Sequence, residues 1–284
     1  MTTTPKQPAP SVRFSYLVVD NYKCLDKLRL ELPPPNSSDQ LDIFAIGSRN
    51  GGGKSSVLEC LALSFSPRVP RGFYQGCIRR GFDSAVINAI LQVGGEPCRV
   101  SISLNQLVDH EVEHNENLPE LKSFCTNVST ESALLEIVVG KKEKALVRAP
   151  LLFFPSHRRA VHGSTLLADA HTDLGGTDSD FSQAKGVLSR LRQEFGGDEG
   201  AFEMLSSGQK EIISTLFTIW SATYHQPSVV LIDEPELHLN AEWQRIFVSK
   251  LAELAPKNQY ILATHSEEIF ASVPKERRLL LTSV

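Results

Sequence analysis

The sequence predicts an α/β protein, a mostly parallel sheet flanked by helices with an antiparallel β segment beside it. Three observations carry this. The apolar run LDIFAIG (Leu41–Gly47) ends in a glycine-rich turn and leads into KSSVLECLALSF, where apolar residues recur at helical spacing. Towards the C-terminus, short apolar runs alternate with helical patterns, as parallel strands joined by helices require. From Arg71 to Pro150 the pattern turns to strand after strand, broken by Gly, Pro and polar loops.

The elements follow in order. MTTTPKQPAP is polar and Pro/Thr-rich, so residues 1–11 read as a disordered lead-in without the apolar core of a signal peptide. VRFSYLVVDNY (Val12–Tyr22) and KLRLELP (Lys27–Pro33) read as paired strands, PPPNSSDQ as a loop, residues 41–47 as a buried strand and Lys54–Phe65 as a helix. The strand-like stretch contains SAVINAILQV, CRVSISLNQL, ALLEIVVG and KALVRAPLLFFP. HGSTLLADAHTDLGGTDSDF reads as a loop, and SQAKGVLSRLRQEFGG as a helix with a serine start at Ser182 and a Gly-Gly stop. GQKEIISTLFTIWSATYH predicts a helix, PSVVLIDEPE a buried strand, NAEWQRIFVSKLAELAP a helix stopped at Pro256, and NQYILATHS a last buried strand. There is no internal repeat, and no sustained heptads between Lys54 and Ser207 that would build a long coiled-coil arm.

Composition narrows the classes. With 284 residues, 41% apolar and 22% charged, the chain can bury a substantial core. A net charge of −4 argues against a uniformly basic nucleic-acid surface and leaves a local basic patch open. The five cysteines are scattered without a CxxC pair, which reads as reduced thiols in a soluble cytoplasmic protein. No apolar run is long enough to cross a bilayer, so no membrane partner is expected.

The chemistry concentrates in four short stretches. In AIGSRNGGGKSSVLE, Asn50, Gly51, Gly52 and Gly53 form a turn whose backbone N–H groups can converge on phosphate oxygens at a helix N-terminus. Lys54 supplies charge to the β/γ-phosphates, Ser55 a hydroxyl for Mg2+, and Ser56 continues the turn. The usual spacing places the first glycine at position 48, where this chain has Ser48, with Gly47 one residue early. VVLIDEPELHLN sets Asp233 and Glu234 at the exit of an apolar strand. Asp233 suits the Mg2+ shell and Glu234 a general base or water-positioner. Adjacent acids after a strand also serve as helix caps; the neighbouring phosphate loop favours the catalytic role. YILATHSEE ends a strand with His265, at the sheet edge where ligands bind in open α/β folds. There the imidazole can hydrogen-bond the γ-phosphate or the attacking water. In EMLSSGQKEI, Ser206, Ser207, Gly208 and Gln209 open a helix as a second anion-binding turn, incomplete as a triphosphate cradle on its own.

In order, these stretches resemble the Walker A, signature, Walker B and switch-histidine motifs of ABC-type ATPase domains. DEPELHLN and LSSGQK look most like the soluble SMC/RecF-like and overcoming-lysogenization-defect-like branch, relatives of which serve anti-phage systems such as Septu and some retrons. VRFSYLVVDNYKCLDKLRLEL and IRRGFDSAVINAIL resemble further segments of the same branch. The likeness in layout runs from Val12 to the C-terminus, although the motifs occupy little of it.

The resemblance implies a P-loop NTPase fold with an ABC-type core, an antiparallel β subdomain and a helical signature lobe. It also implies one domain over 12–284, with 12–66 and 228–284 as nucleotide-binding core, 67–155 as inserted β-rich segment and 156–227 as helical lobe. It implies ATP and Mg2+ as cofactors, and a head-to-tail homodimer or higher assembly in which one chain's signature turn caps the nucleotide held at the other's Lys54. The function expected is an ATP-hydrolysing switch or clamp in DNA repair or anti-phage defence, with a separate effector or nuclease chain and DNA as a further partner. The ATPase subunit of a membrane transporter and a non-catalytic ATP-dependent scaffold are the alternatives. The chain departs from the family in two places. The strand linking core to lobe, LLFFPSHRR, offers Ser156, His157, Arg158 and Arg159 where a glutamine is usual, and Gln75 falls too early to replace it. Asn240 stands where transporters carry aspartate, which predicts slow or effector-gated turnover. The residue that stacks on adenine is not assigned; Tyr22 and Phe14 are candidates.

Overall fold

A computed structural model describes residues 11–37, 39–48, 51–65, 76–105, 111–114, 151–156, 166–167, 174, 177–196 and 202–281. Its strands are β1 (Val12–Tyr22), β2 (Leu25–Glu31), β3 (Asp42–Ser48), β4 (Ser84–Val93), β5 (Glu96–Asn105), β6 (Glu111–His114), β7 (Leu151–Phe154), β8 (Val229–Asp233), β9 (Gln259–Thr264) and β10 (Arg278–Leu281). Its helices are α1 (Lys54–Phe65), α2 (Asp178–Gly196), α3 (Ser207–Thr223), α4 (Ala241–Leu254) and α5 (Glu267–Ser272).

The strands form two sheets. One is antiparallel, in the order β2-β1-β4-β5-β6; the other is parallel, in the order β10-β3-β9-β8-β7. Side-chain alternation along β8 sorts the core into two layers. Val229 and Leu231 join α1 and the antiparallel sheet on one face, while Val230 and Ile232 pack with α2, α3 and α4 on the other. A strand buried on both faces reads as a continuous apolar run, as VVLID does. α1 is therefore enclosed between the sheets, and ten of its twelve residues are buried. Burying each of its leucines contributes about 1.5–3 kcal/mol.

Two polar devices fix the sheets to each other. The Gln259 amide reads the backbone of Phe14 across the gap, accepting its N–H at 2.7 Å and donating to its carbonyl at 2.9 Å. Asp42, at the start of β3, takes Arg13 from β1 at 2.6 Å and the buried Arg277 from the turn before β10.

Several expectations are corrected. Leu151–Phe154 lies in the parallel sheet, not with the strands inserted before it: it pairs with β8 and buries Leu151 and Phe153 in one core layer, Leu152 and Phe154 in the other. β1 and β2, assigned by sequence to the core, pair instead with β4–β6. α2 begins at Asp178 and not at Ser182, since the Thr177 hydroxyl accepts the Asp180 N–H at 3.2 Å and caps the helix earlier. β2 and β5 each sit two residues earlier than their runs suggest. Ser11, just before β1, bonds to the antiparallel sheet's β4–β5 turn, its carbonyl accepting the Gly94 N–H at 2.8 Å. ALLEIVVG, most of 162–176 and residues 1–10 lie outside the described residues.

Candidate functional site

The parallel sheet brings three of the four stretches to one edge. β3 and β9 are adjacent, with Gly47 opposite Thr264, and β8 runs beside β9 with Asp233 opposite Ala263. The C-terminal ends of β3, β8 and β9 thus present the phosphate loop, the Asp233–Glu234 pair and His265 side by side.

Backbone geometry accounts for the glycines. Gly51 and Gly53 have φ of 79° and 88°, the left-handed region that a side chain resists. At Gly53 a Cβ would also meet Leu25 at 2.6 Å. Gly52 lies in the same turn, and Asn50 falls outside the described residues. Ser48, where the first glycine was expected, closes β3 and accepts a hydrogen bond from Lys54 Nζ at 3.2 Å. That departure from the usual spacing therefore places a hydroxyl on the lysine. Ser55 and Ser56 continue the first turn of α1, Ser55 exposed and Ser56 buried.

Lys54 is 5% exposed, and its Nζ lies 2.7 Å from His265 Nε2. An ammonium has no lone pair to offer, so a neutral imidazole accepts from it through Nε2 in the Nδ1–H tautomer; Nδ1 itself lies 3.4 Å from Nζ. Burial pushes the Lys54 pKa down, while Asp233, Glu234 and Glu236 pull it back up. Lys54 is thus a largely buried cation with three carboxylates near enough to offset its desolvation.

Asp233 is 3% exposed at the end of β8. Glu234 has φ of 49°, a strained conformation for a side-chain-bearing residue; its N–H donates to the Ala263 carbonyl at 2.8 Å. Because Glu234 leaves the strand here, the chain can turn back, and Glu236 reaches the end of β9. Its carboxylate accepts the His265 N–H at 2.6 Å and the Thr264 hydroxyl at 2.6 Å. Sequence reasoning missed Glu236, whose contacts are far apart in sequence, and read Ser48 only as a departure from the loop spacing and not as a partner of Lys54.

The fourth stretch opens α3. Ser206 is its N-cap, and the Ser206–Gln209 pair forms a capping box, with Ser206 N–H donating to Gln209 Oε1 at 2.8 Å. The other end of the Gln209 amide donates to the Phe195 carbonyl at 2.9 Å. Gln209 thus spends both ends of its side chain on the protein itself, and Ser206 and Ser207 remain exposed. Gly208 is buried beneath the His238 carbonyl and the Trp243 ring. Tyr22 and Phe14 are wholly buried in the core, which removes both as adenine-stacking candidates. Ser156 ends the described part of its strand, and His157, Arg158, Arg159 and Gln75 lie outside the described residues.

The donor set suits magnesium. Asp233 and Ser55 offer hard oxygen ligands from two elements. Among the described residues no group of three or more His, Cys, Asp or Glu is spaced to hold a metal by itself, and an ion that keeps water and phosphate oxygens needs no such cage.

Comparison with known proteins assigns the chain to a family. A family described as "AAA domain, putative AbiEii toxin, Type IV TA system" matches residues 105–271, more than half of the chain. The chain belongs to this AAA-domain family. The chain is 34% identical over 91 residues to the "Retron Vc95 probable ATPase" of Vibrio cholerae serotype O1 biovar El Tor, covering 28% of this chain and 18% of that protein. It is 24% identical over 269 residues to Septu protein PtuA of Bacillus mycoides (strain KBAB4), covering 87% of this chain and 37% of that protein. The match thus covers less than a fifth of the retron ATPase and little more than a third of PtuA.

Its fold is that of SMC heads and RecF, a P-loop core of ABC type. The SMC head domain from Thermotoga maritima superposes with a TM-score of 0.56 at 15% identity, over 92% of both chains. RecF with ATP superposes with a TM-score of 0.53 at 11% identity, over 91% of this chain and 94% of that one. Among the described residues no helix is long and apolar enough to cross a membrane.

Proposed function

We propose that this AAA domain binds and hydrolyses ATP, pairs head-to-tail with a second copy around the nucleotide, and serves as the switch of an anti-phage defence system whose effector is a separate chain. One observation carries the reading: Lys54 on the phosphate loop touches His265 on the neighbouring strand at 2.7 Å, with Asp233 and Glu234 at the next strand end. Those four side chains supply what phosphoryl transfer to water needs.

Lys54 exchanges His265 for the β/γ-phosphates, an exchange favoured because its charge is poorly solvated. Asp233 and Ser55 would hold Mg2+, which supplies charge neutralisation on the phosphate oxygens. Glu234 orients the attacking water and takes its proton, and His265, released from Lys54, donates from Nδ1–H to the γ-phosphate or the water. ATP and water give ADP and phosphate. Ser207 and the first N–H groups of α3 cap the γ-phosphate held by the other copy, so hydrolysis weakens the pairing.

The defence role draws support from the names of the retron and Septu relatives, and their greater length is consistent with further segments or partners doing the killing. DNA as a ligand has support only from the likeness to RecF and SMC heads. Measuring phosphate release by the purified chain with and without DNA, in wild type and Glu234→Gln, tests the reading. No turnover in any condition, with no nucleotide retained, contradicts it.

A further inference from the structure

The turn that leaves β9 is held from one direction. Thr264 donates its hydroxyl to Glu236 Oε2 and His265 its N–H to Glu236 Oε1, both at 2.6 Å. Ser266 donates its N–H to Thr264 Oγ1 at 3.0 Å and its hydroxyl to Gln244 Oε1 at 2.7 Å. Gln244 in turn donates to the Leu239 carbonyl at 2.8 Å. Apart from the Ser266–Thr264 bond inside the turn, these anchors come from the segment that follows Asp233, so the strand-end acids and the histidine turn form one braced unit. The His265 ring emerges from that unit onto Lys54.

We propose that Glu236 is the positioning residue for His265, a role that rests on the ATP-hydrolysing reading of this site. Pinning the His265 N–H fixes the direction of its Cα–Cβ bond, leaving only the two ring torsions free. A carboxylate suits the task because both neighbours are donors and it has two acceptor oxygens and no proton of its own. Bonds to an ionised acceptor are roughly twice as strong as neutral ones. The same charge also lies close enough to Lys54 to raise its pKa, so Glu236 favours the ammonium that His265 accepts from. Glu236 itself touches no substrate; it acts through the turn it holds. Without it the bonds that remain, Ser266 to Gln244 and to Thr264, leave the His265 N–H itself unheld.

The side chain's isostere separates holding from charge. A glutamine at 236 still accepts the His265 N–H through its oxygen, and its amide can donate to Thr264, whose hydroxyl turns to accept. Alanine does neither.

The experiment compares the full chain as wild type, Glu236→Gln, Glu236→Ala, His265→Ala and the Glu236→Ala/His265→Ala double variant. In the nucleotide-free protein, amide exchange at His265 accelerates about 10- to 100-fold in Glu236→Ala and stays near wild type in Glu236→Gln. Ile261 and Leu262, inside β9, keep their protection in both. In turnover, Glu236→Ala loses about 10- to 100-fold in kcat with KM nearly unchanged, Glu236→Gln restores most of it, and the double variant is no slower than His265→Ala alone. An unchanged His265 amide in Glu236→Ala overturns the proposal. So do losses that multiply in the double variant, or a Glu236→Gln as impaired as Glu236→Ala. A wild type that turns over no ATP fails the functional reading, and amide exchange still decides whether Glu236 holds the turn.

Discussion

A methyl group added to Gly208 would come within 2.2 Å of the His238 carbonyl oxygen. His238 has φ of 64°, so the loop after β8 is turned to press its backbone against the first turn of α3. Backbone cannot yield as a side-chain tip can. Gly208→Ala should therefore part the loop from the helix and lower stability by about 1–3 kcal/mol. Urea unfolding measures the loss, and the fluorescence of Trp243, whose ring lies 3.7 Å from that methyl position, should change with it. A variant as stable as wild type would mean that the contact is loose in solution.

Lys54 separates binding from folding. Lys54→Ala should weaken nucleotide binding about 100-fold or more, because a desolvated charge facing a polyanion is lost. Stability without nucleotide should change by less than about 1 kcal/mol, since the cost of burying the ammonium disappears along with its bond to His265. Fluorescent-nucleotide titration and urea unfolding on the same samples check both halves.

Arg277 tests the join between the sheets. Its side chain is 2% exposed, donates to the Ile43 carbonyl at 2.7 Å and pairs with Asp42. Arg277→Ala strands an acceptor and half of a buried ion pair, and should cost about 3 kcal/mol; Arg13, still on Asp42, limits the loss. Adding Asp42→Asn should then cost less than it does in wild type, which a double-mutant cycle reads directly.

Alkali should unfold the chain earlier than acid chemistry at its surface would suggest. Burial, with Glu59 adding to it, pushes the Cys60 thiol well above its ordinary 9.0, and burial pushes the Tyr22 phenol above 10.0. The folded chain keeps protons that the unfolded chain releases from about pH 9 upward. The stability these groups contribute is complete below that pH and is lost as pH rises, at about 1.4 kcal/mol per unit for each. Urea midpoints between pH 8 and 11 should fall, and Cys60→Ala should flatten the first part of that fall.

Much of the fold was legible because its signals are local. KSSVLECLALSF has helical spacing, and α1 occupies those same twelve residues. SAVINAILQV alternates, and β4 has the same bounds. Sheet membership was not legible: LLFF is a buried strand by pattern in either sheet, and only its pairing with β8, Leu151 opposite Val229, decides. The site divides likewise. Gly51–Ser55, Asp233, Glu234 and His265 follow spacing rules, and the sheet brings their strand ends together. Glu236 could not be found that way, since its partners lie 28 and 29 residues away. Gln209 shows a use that the motif does not announce, because its side chain closes a capping box and bonds the Phe195 carbonyl.

The pairing of two copies around ATP is the claim on which the functional account turns. Sedimentation of Glu234→Gln with ATP and Mg2+ tests it most directly. The account predicts a species of twice the 31.3 kDa chain mass that forms only with ATP and holds one nucleotide per chain. A chain that binds ATP at Lys54 yet stays at 31.3 kDa at every protein concentration would contradict it.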